Sequence, residues 1–187
     1  VCYLSFEVPD KNKHIARLVS LMLGKANTTA YTDGQLTPYL DFLDTHMIHL
    51  DMHEVPPTPE NILNRADRVR RTHPLKYLVV DPYLFIETQS GNGETETQSI
   101  KAMLTKFQTW GRVNHIWVVI VAHPRGLKTV NGRNELEAIN MYTISGSANW
   151  ANLADFILNV SRIAEPDRAF TRIDMLKVRD QELCRTG

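Results

Sequence analysis

A chain of 187 residues fits a single hydrophobic core, because cores stop growing and chains split into domains only well beyond this length. Hydrophobic residues at 43% and charged residues at 22% are globular proportions, which excludes disordered, collagen-like and coiled-coil classes. Lys plus Arg (21) balances Asp plus Glu (21), so contact with a nucleic acid requires a local basic patch and not a generally basic surface.

Val1 to Phe6 (VCYLSF) reads as a short buried strand, too brief and too β-prone for a helix. After Pro9 and Asp10, the residues Ile15, Leu18, Val19, Met22 and Leu23 recur at helical spacing, and Gly24 marks the stop. Thr37 to His46 is a short helix with Pro38 in its first turn, and Met47 to Met52 is a strand. Thr58 to Thr72 is a stronger helix, with Thr58 as cap and Pro59 in the first position. Leu75 to Asp81 (LKYLVVD) is an apolar strand ending in a carboxylate, and the polar, Gly-containing segment Gln89 to Thr97 is a loop. Ser99 to Gly111 has helical spacing through Ile100, Met103, Leu104 and Phe107. His115 to Ala122 is a fully apolar strand, as in the middle of a parallel sheet. A basic loop, Gly126 to Asn134, follows, then a short helix over Asn149 to Asp155 and strands over Phe156 to Val160 and Phe170 to Val178. Strands alternating with helices predict an α/β fold with a mainly parallel sheet flanked by helices, in one domain over residues 1–187.

The longest apolar run, Ile116 to Ala122, is far below the length that spans a bilayer, and no signal-like apolar segment opens the chain, so no membrane contact is expected. Cys2 and Cys184 stand near opposite ends without spaced partners, which excludes a disulfide framework or cysteine zinc site and suits a reducing compartment. Val1 opens directly in a strand-like run and Gly187 closes just after another. The expectation is therefore a piece of a longer protein, truncated at both ends.

In open parallel sheets, ligands gather at the carboxyl ends of the strands. Glu7 follows the first strand, Asp81 ends the second apolar one, His123 follows the third with Arg125 behind it, and Lys177 and Arg179 close the last. Two carboxylates, an imidazole and cations on one predicted edge suit a metal-bound phosphate. Tyr77-Leu78-Val79-Val80-Asp81 has the Walker-B pattern, a stiff buried strand holding a carboxylate beside a hydrated Mg²⁺ that a nucleotide carries. The same pattern also serves as a plain turn or helix cap. Glu7 is placed to orient an attacking water, or is a solvated loop acid. His123 can bond a γ-phosphate and report its loss, or satisfy nearby backbone. Arg125, Lys128 and Arg133 lie among glycines, which suits phosphate-backbone contacts and equally a solvated surface loop. His49, Asp51 and His53 would share one strand face, with His46 and Glu54 near, but surface strand residues explain them better than a metal site.

The ordered set YLSFE, YLVVDPYLFIE, WVVIVAHPR, ISGSANWANLADFILNVSR and KVRDQELCRTG resembles the RecA-fold helicase domain of the DnaB-type replicative helicases. The His-Pro-Arg after the third strand is closer to phage primase-helicases and to Twinkle than to bacterial DnaB. The resemblance implies a RecA-like P-loop NTPase core in a hexameric ring. That ring hydrolyses ATP or another NTP with Mg²⁺, translocates on single-stranded DNA and unwinds duplex, in some members with a fused or partner primase. By resemblance Glu7 falls on the water-activating glutamate, Asp81 on the magnesium aspartate and His123 on the γ-phosphate sensor. Lys177 and Arg179 fall on the pair that reaches across a subunit boundary, Arg179 as the arginine finger. The loop of Arg125, Lys128 and Arg133 falls on a central-channel DNA loop, with Gly146 and Ser147 in the segment after it. The compartment implied is the cytoplasm of a bacterial or phage-infected cell, with the mitochondrial matrix second.

One departure limits the expected activity. No G-x-x-x-x-G-K-[ST] occurs in the sequence, and Gly24-Lys25 lacks both the upstream glycine and a following Ser or Thr. The chain by itself is expected to bind nucleotide weakly and to hydrolyse essentially none. Two other readings of the residues stand beside the helicase. One is a RecA/RadA- or KaiC-like ATPase on the same fold; the other is a catalytically inactive RecA-like module that binds DNA or serves as a scaffold.

Overall fold

The computed structural model describes residues 1–8, 10–24, 31–88, 95–124, 129–130, 135–136, 139–144, 148–165 and 168–179. The chain divides into two compact units, one of residues 1–87 and 109–121, the other of residues 88–108 and 122–187.

The first unit is built on a parallel four-stranded sheet in the order β2-β1-β3-β4, with β1 at Cys2–Ser5, β2 at Ile48–His49, β3 at Tyr77–Asp81 and β4 at Trp117–Ile120. Its register sets Tyr3 beside His49 on one side and Val79 on the other, and Ser5 beside Asp81. Because side chains alternate across a strand, Cys2, Leu4, Leu78 and Val80 share one face, and all four are buried. Full burial of each aliphatic side chain stabilises by roughly 1.5–3 kcal/mol. Gly111, in the last turns of α4 (Glu96–Asn114), lies against this face, where an added Cβ would meet the Ile116 carbonyl oxygen at 2.8 Å and Val118 Cγ2 at 3.0 Å. The opposite face carries Tyr3, His49, Val79 and Asp81. α1 (Lys11–Leu23) covers part of it through His14, whose ring centroid lies 4.5 Å from that of Tyr3. Helices thus cover both faces of a parallel sheet, the predicted fold class.

Local chemistry explains where the helices start and stop. Asp10 caps α1 by accepting from the N–H groups of Asn12 and Lys13, and Gly24 ends it at φ 64°, a left-handed conformation that costs glycine little. The helix α2 runs Asp33–His46, four residues longer at its start than the sequence predicts, because Thr32 and Gln35 form a capping box ahead of it. Pro38 consequently lies inside that helix and not in its first turn. Thr58 caps α3 (Pro59–Thr72) by accepting from the Asn61 N–H, with Pro59 in the first turn as predicted. Asp67 on α3 accepts from the Trp110 indole at 3.1 Å and from Arg70 Nε at 2.7 Å.

Three predicted strands sit differently from expectation. β4 is an end strand of the described sheet, and Trp117 and Val119 on its outer face are 56% and 44% exposed. A continuous apolar run therefore does not here mark a strand buried on both sides. In the second unit β7 (Phe156–Glu165) and β8 (Arg168–Val178) pair with each other, antiparallel, in a two-stranded sheet of their own. β5 (Thr129–Val130) lies in the segment predicted as a loop and pairs antiparallel with β6 (Glu135–Leu136), just beyond it. The helix α5 (Asn149–Leu153) is tied to α4 by Asn149 Nδ2, which donates to the Thr97 carbonyl at 3.0 Å, and by Gln108 Nε2, which donates to the Leu153 carbonyl at 2.7 Å.

Candidate functional site

Asp81 occupies the carboxyl end of β3, a strand flanked by β1 and β4. Its main chain is fixed by the Phe6 N–H, which donates to the Asp81 carbonyl at 2.8 Å. Its side chain is fixed by Tyr3, whose hydroxyl donates to Oδ2 at 2.5 Å. Among the described residues Oδ1 accepts no hydrogen bond. Burial first, then the bond to Asp81 and the negative charges of Asp81 and Glu7, push the Tyr3 phenol above its ordinary range. Tyr3 is therefore a firm donor at any physiological pH.

Glu7 lies two residues beyond the Ser5–Asp81 pair, exposed, in the bend after β1 that Ser5 Oγ shapes by accepting from the Val8 N–H at 3.0 Å. Two carboxylates thus stand at the same end of neighbouring parallel strands in the first unit. Beneath them is a pair of imidazoles. His14 Nδ1 and His49 Nε2 are 2.9 Å apart, and His49 Nδ1 is buried without a hydrogen-bond partner among the described residues. Burial lowers the basicity of both rings, helped at His49 by His14 and Lys11 and at His14 by Arg17, against an opposing pull from Asp81. Both rings are neutral near pH 7.

The histidine and acid cluster between His46 and Glu54 does not converge. β2 ends at His49, which turns to His14, whereas Asp51 Oδ1 accepts from the His53 N–H at 2.8 Å. No group of three or more His, Cys, Asp or Glu side chains among the described residues is placed to hold a metal. Cys2 is fully buried, which pushes its thiol up to about 11, so it is an inert core residue. Cys184 lies outside the described residues.

The remaining predicted residues belong to the second unit. β4 ends at Ile120, so His123 follows the strand at a distance of three residues and is exposed. Pro124 forms an antiparallel bridge with Ile144. Arg125, Lys128 and Arg133 lie outside the described residues, as do Gly146 and Ser147. Lys177 is inside β8 and not beyond it. Its Nζ donates to the Ala151 carbonyl at 2.5 Å, and burial, then the neighbouring Arg179 charge, draw its ammonium below the ordinary value against the pull of Asp155. Arg179 follows one residue after the strand. Its Nη2 donates to the carbonyls of Asn152 and Leu153, each at 3.1 Å, and Nη1 pairs with Asp155 Oδ1 at 3.0 Å. Both cations therefore close the carboxyl end of α5, where exposed carbonyls favour positive charge.

Magnesium takes oxygen ligands, keeps several waters and uses one or two carboxylates. Asp81, anchored at one oxygen and open at the other, fits that requirement. A phosphate cradle is a different matter, since the sequence holds no P-loop. The residues present fit the metal end of a magnesium–nucleotide and not its phosphate end.

Two solved structures match over 96% of this chain, each at a TM-score of 0.74 and 15% sequence identity. One is a DnaB-like replicative helicase, described with its interactions with primase, of which this chain covers 46%; the other is an ATPase domain, of which it covers 66%. The chain carries the fold of a DnaB-type replicative helicase domain. In sequence it is similar to the Twinkle homolog protein, chloroplastic/mitochondrial, of Arabidopsis thaliana, with 31% identity over 128 residues, 67% of this chain. The chain spans 18% of the length of that relative. No family model matches it. Among the described residues no helix is long and apolar enough to cross a membrane.

The sequence pointed to Glu7, Asp81 and the Lys177–Arg179 pair, read His49 as a surface strand residue, and missed Tyr3, His14 and Asp155. Tyr3 had a signal: period-two alternation puts it on the face that Ser5 shares with Asp81. His14 had none, because a histidine in an amphipathic helix is silent about what it will touch.

Proposed function

We propose that this chain is the RecA-like ATPase core of an NTP-driven replicative DNA helicase, one domain within a longer protein that works as a hexameric ring on single-stranded DNA and separates duplex. The observation that carries the reading is the pair of carboxylates, Asp81 ending β3 and Glu7 following the in-register β1, on a fold shared with DnaB-like helicases.

Magnesium, when bound with a nucleotide, supplies charge neutralisation at the β- and γ-phosphates. Asp81, whose Oδ1 accepts no hydrogen bond among the described residues, would hold that hydrated ion. Glu7, exposed to solvent, orients the attacking water and takes its proton. His123 senses the γ-phosphate and passes its loss to the loop beyond, where Arg125, Lys128 and Arg133 hold the DNA backbone through charge. Lys177 and Arg179 serve the nucleotide of the adjacent subunit, which makes hydrolysis depend on assembly. In the isolated chain they cap α5, so this role requires Arg179 to exchange Asp155 for phosphate.

The test is fork unwinding by the full-length protein with Mg²⁺ and NTP. Unwinding that is lost in Asp81→Asn and Glu7→Gln supports the reading. Strand exchange without fork unwinding would assign a recombinase, and salt-sensitive DNA binding indifferent to nucleotide would assign a scaffold.

A further inference from the structure

A carboxylate that holds a metal at the end of a strand is useful only if its rotamer is fixed, because a freely turning Asp spends binding energy on ordering itself. Strand β3 fixes the Asp81 backbone, but a strand end leaves χ1 and χ2 unconstrained. In this protein the constraint comes from the neighbouring strand. Tyr3 sits one pleat below Ser5 on β1, on the face shared with Asp81, and its ring is long enough to reach diagonally to the carboxylate. The contact joins residues 78 positions apart in sequence.

We infer that Tyr3 is the positioning residue of the metal site: its hydroxyl ties Oδ2 of Asp81 and thereby presents Oδ1 to a divalent cation. Tyr3 touches neither cation nor nucleotide in this scheme, and it acts through Asp81. Three observations support the assignment. The bond runs from a phenol to a carboxylate, the class of hydrogen bond with the most orienting power. The donor is held from behind, since the Tyr3 ring packs against His14 at 4.5 Å between centroids, tilted by 35°, and meets His49 edge-on at 6.4 Å. The two imidazoles are locked to one another at 2.9 Å, so the support has little freedom of its own. A tyrosine buried only for packing would need none of this, and phenylalanine would serve the same purpose.

The inference rests on the reading of Asp81 as the metal carboxylate, and the experiment separates the two. In the full-length protein, Tyr3→Phe removes one hydroxyl and keeps the ring against His14. The readouts are the Mn²⁺ dissociation constant in the presence of nucleotide, followed by electron paramagnetic resonance, and the Mg²⁺ concentration that gives half-maximal NTP hydrolysis. Loss of an outer partner of a metal ligand weakens metal binding by about 10- to 100-fold. Tyr3→Phe is expected to raise both constants by about 10-fold, with hydrolysis largely restored at saturating Mg²⁺. Asp81→Asn is expected to abolish metal binding, and adding Tyr3→Phe to it should change nothing further. If Tyr3→Phe leaves both constants within twofold while Asp81→Asn abolishes binding, the positioning role is overturned and the metal role of Asp81 stands. If Asp81→Asn itself leaves metal binding unchanged, the functional reading falls and this inference with it. A lower melting temperature with unchanged metal constants would make Tyr3 purely structural and would also overturn the inference.

Discussion

Arg179 grips Asp155 within its own chain, Nη1 to Oδ1 at 3.0 Å, while Nη2 holds the last carbonyls of α5. Both side chains are more than a third exposed, so solvent screens the pair and its net contribution to stability is no more than about 1 kcal/mol. Such a contact is weak enough to be exchanged for a phosphate on a neighbouring subunit. Arg179→Ala in the full-length protein is expected to abolish DNA-stimulated hydrolysis and to leave nucleotide binding within twofold. Asp155→Asn, which frees the guanidinium without removing it, is expected to retain hydrolysis. Loss of hydrolysis in Asp155→Asn as well would locate the role of Arg179 in the clasp and not in a neighbour's site.

The neutral His14–His49 pair makes stability fall on the acid side. Both rings have folded-state pKa values below 6.5, so between those values and 6.5 the unfolded chain binds more protons than the folded one. The stabilisation is complete above pH 6.5 and fades progressively as the pH drops toward the folded values. Asp81 opposes the shift at His14, and Arg17 and Lys11 reinforce the shifts at His14 and His49 respectively. Urea midpoints measured from about pH 8 to about pH 5 should decline below roughly 6.5, and a His14→Gln, His49→Gln double variant should flatten that decline.

Two glycines in helices are expected to respond oppositely to alanine. At Gly111 a Cβ would lie 2.8 Å from the Ile116 carbonyl oxygen, a backbone atom that cannot swing away. Gly111→Ala should cost about 1–3 kcal/mol through overpacking. Gly34, in the first turn of α2, has nothing within 4 Å of an added Cβ. Gly34→Ala should stabilise by roughly 0.4–1 kcal/mol by restricting the unfolded chain. Denaturant midpoints of the two variants on either side of the wild-type value would bear this out.

The basic loop carries a prediction from sequence alone. Replacing Lys128 and Arg133 with Ala in the full-length protein should weaken single-strand binding and lower the salt slope by about 0.7 for each phosphate that is no longer neutralised. An unchanged slope would remove the loop from the DNA path.

Much of the fold is legible in the sequence because its signals are local. Thr58 followed by Pro59 fixes the start of α3, Asp10 and Gly24 bracket α1, and four apolar residues before Asp81 define a stiff strand with a carboxylate at its tip. The start of α2 escaped because a capping box lies ahead of a proline that reads as a first-turn residue. The surroundings of β4 escaped for another reason: an apolar run states that a strand can be buried and not what will cover it, and Trp117 remains more than half exposed.

By itself, then, the sequence determined the α/β class, the approximate course of most strands and helices, and Asp81 and Glu7 as the carboxylates at strand ends, since periodicity and capping are properties of neighbours in the chain. The tertiary structure alone decided who meets whom. It set Tyr3 on Asp81 across 78 residues, locked His14 to His49, paired β7 with β8 antiparallel and closed Arg179 onto Asp155. Alternation along a strand assigns each side chain to a face, but the partner on that face depends on register and strand order, which are fixed only when distant segments pack.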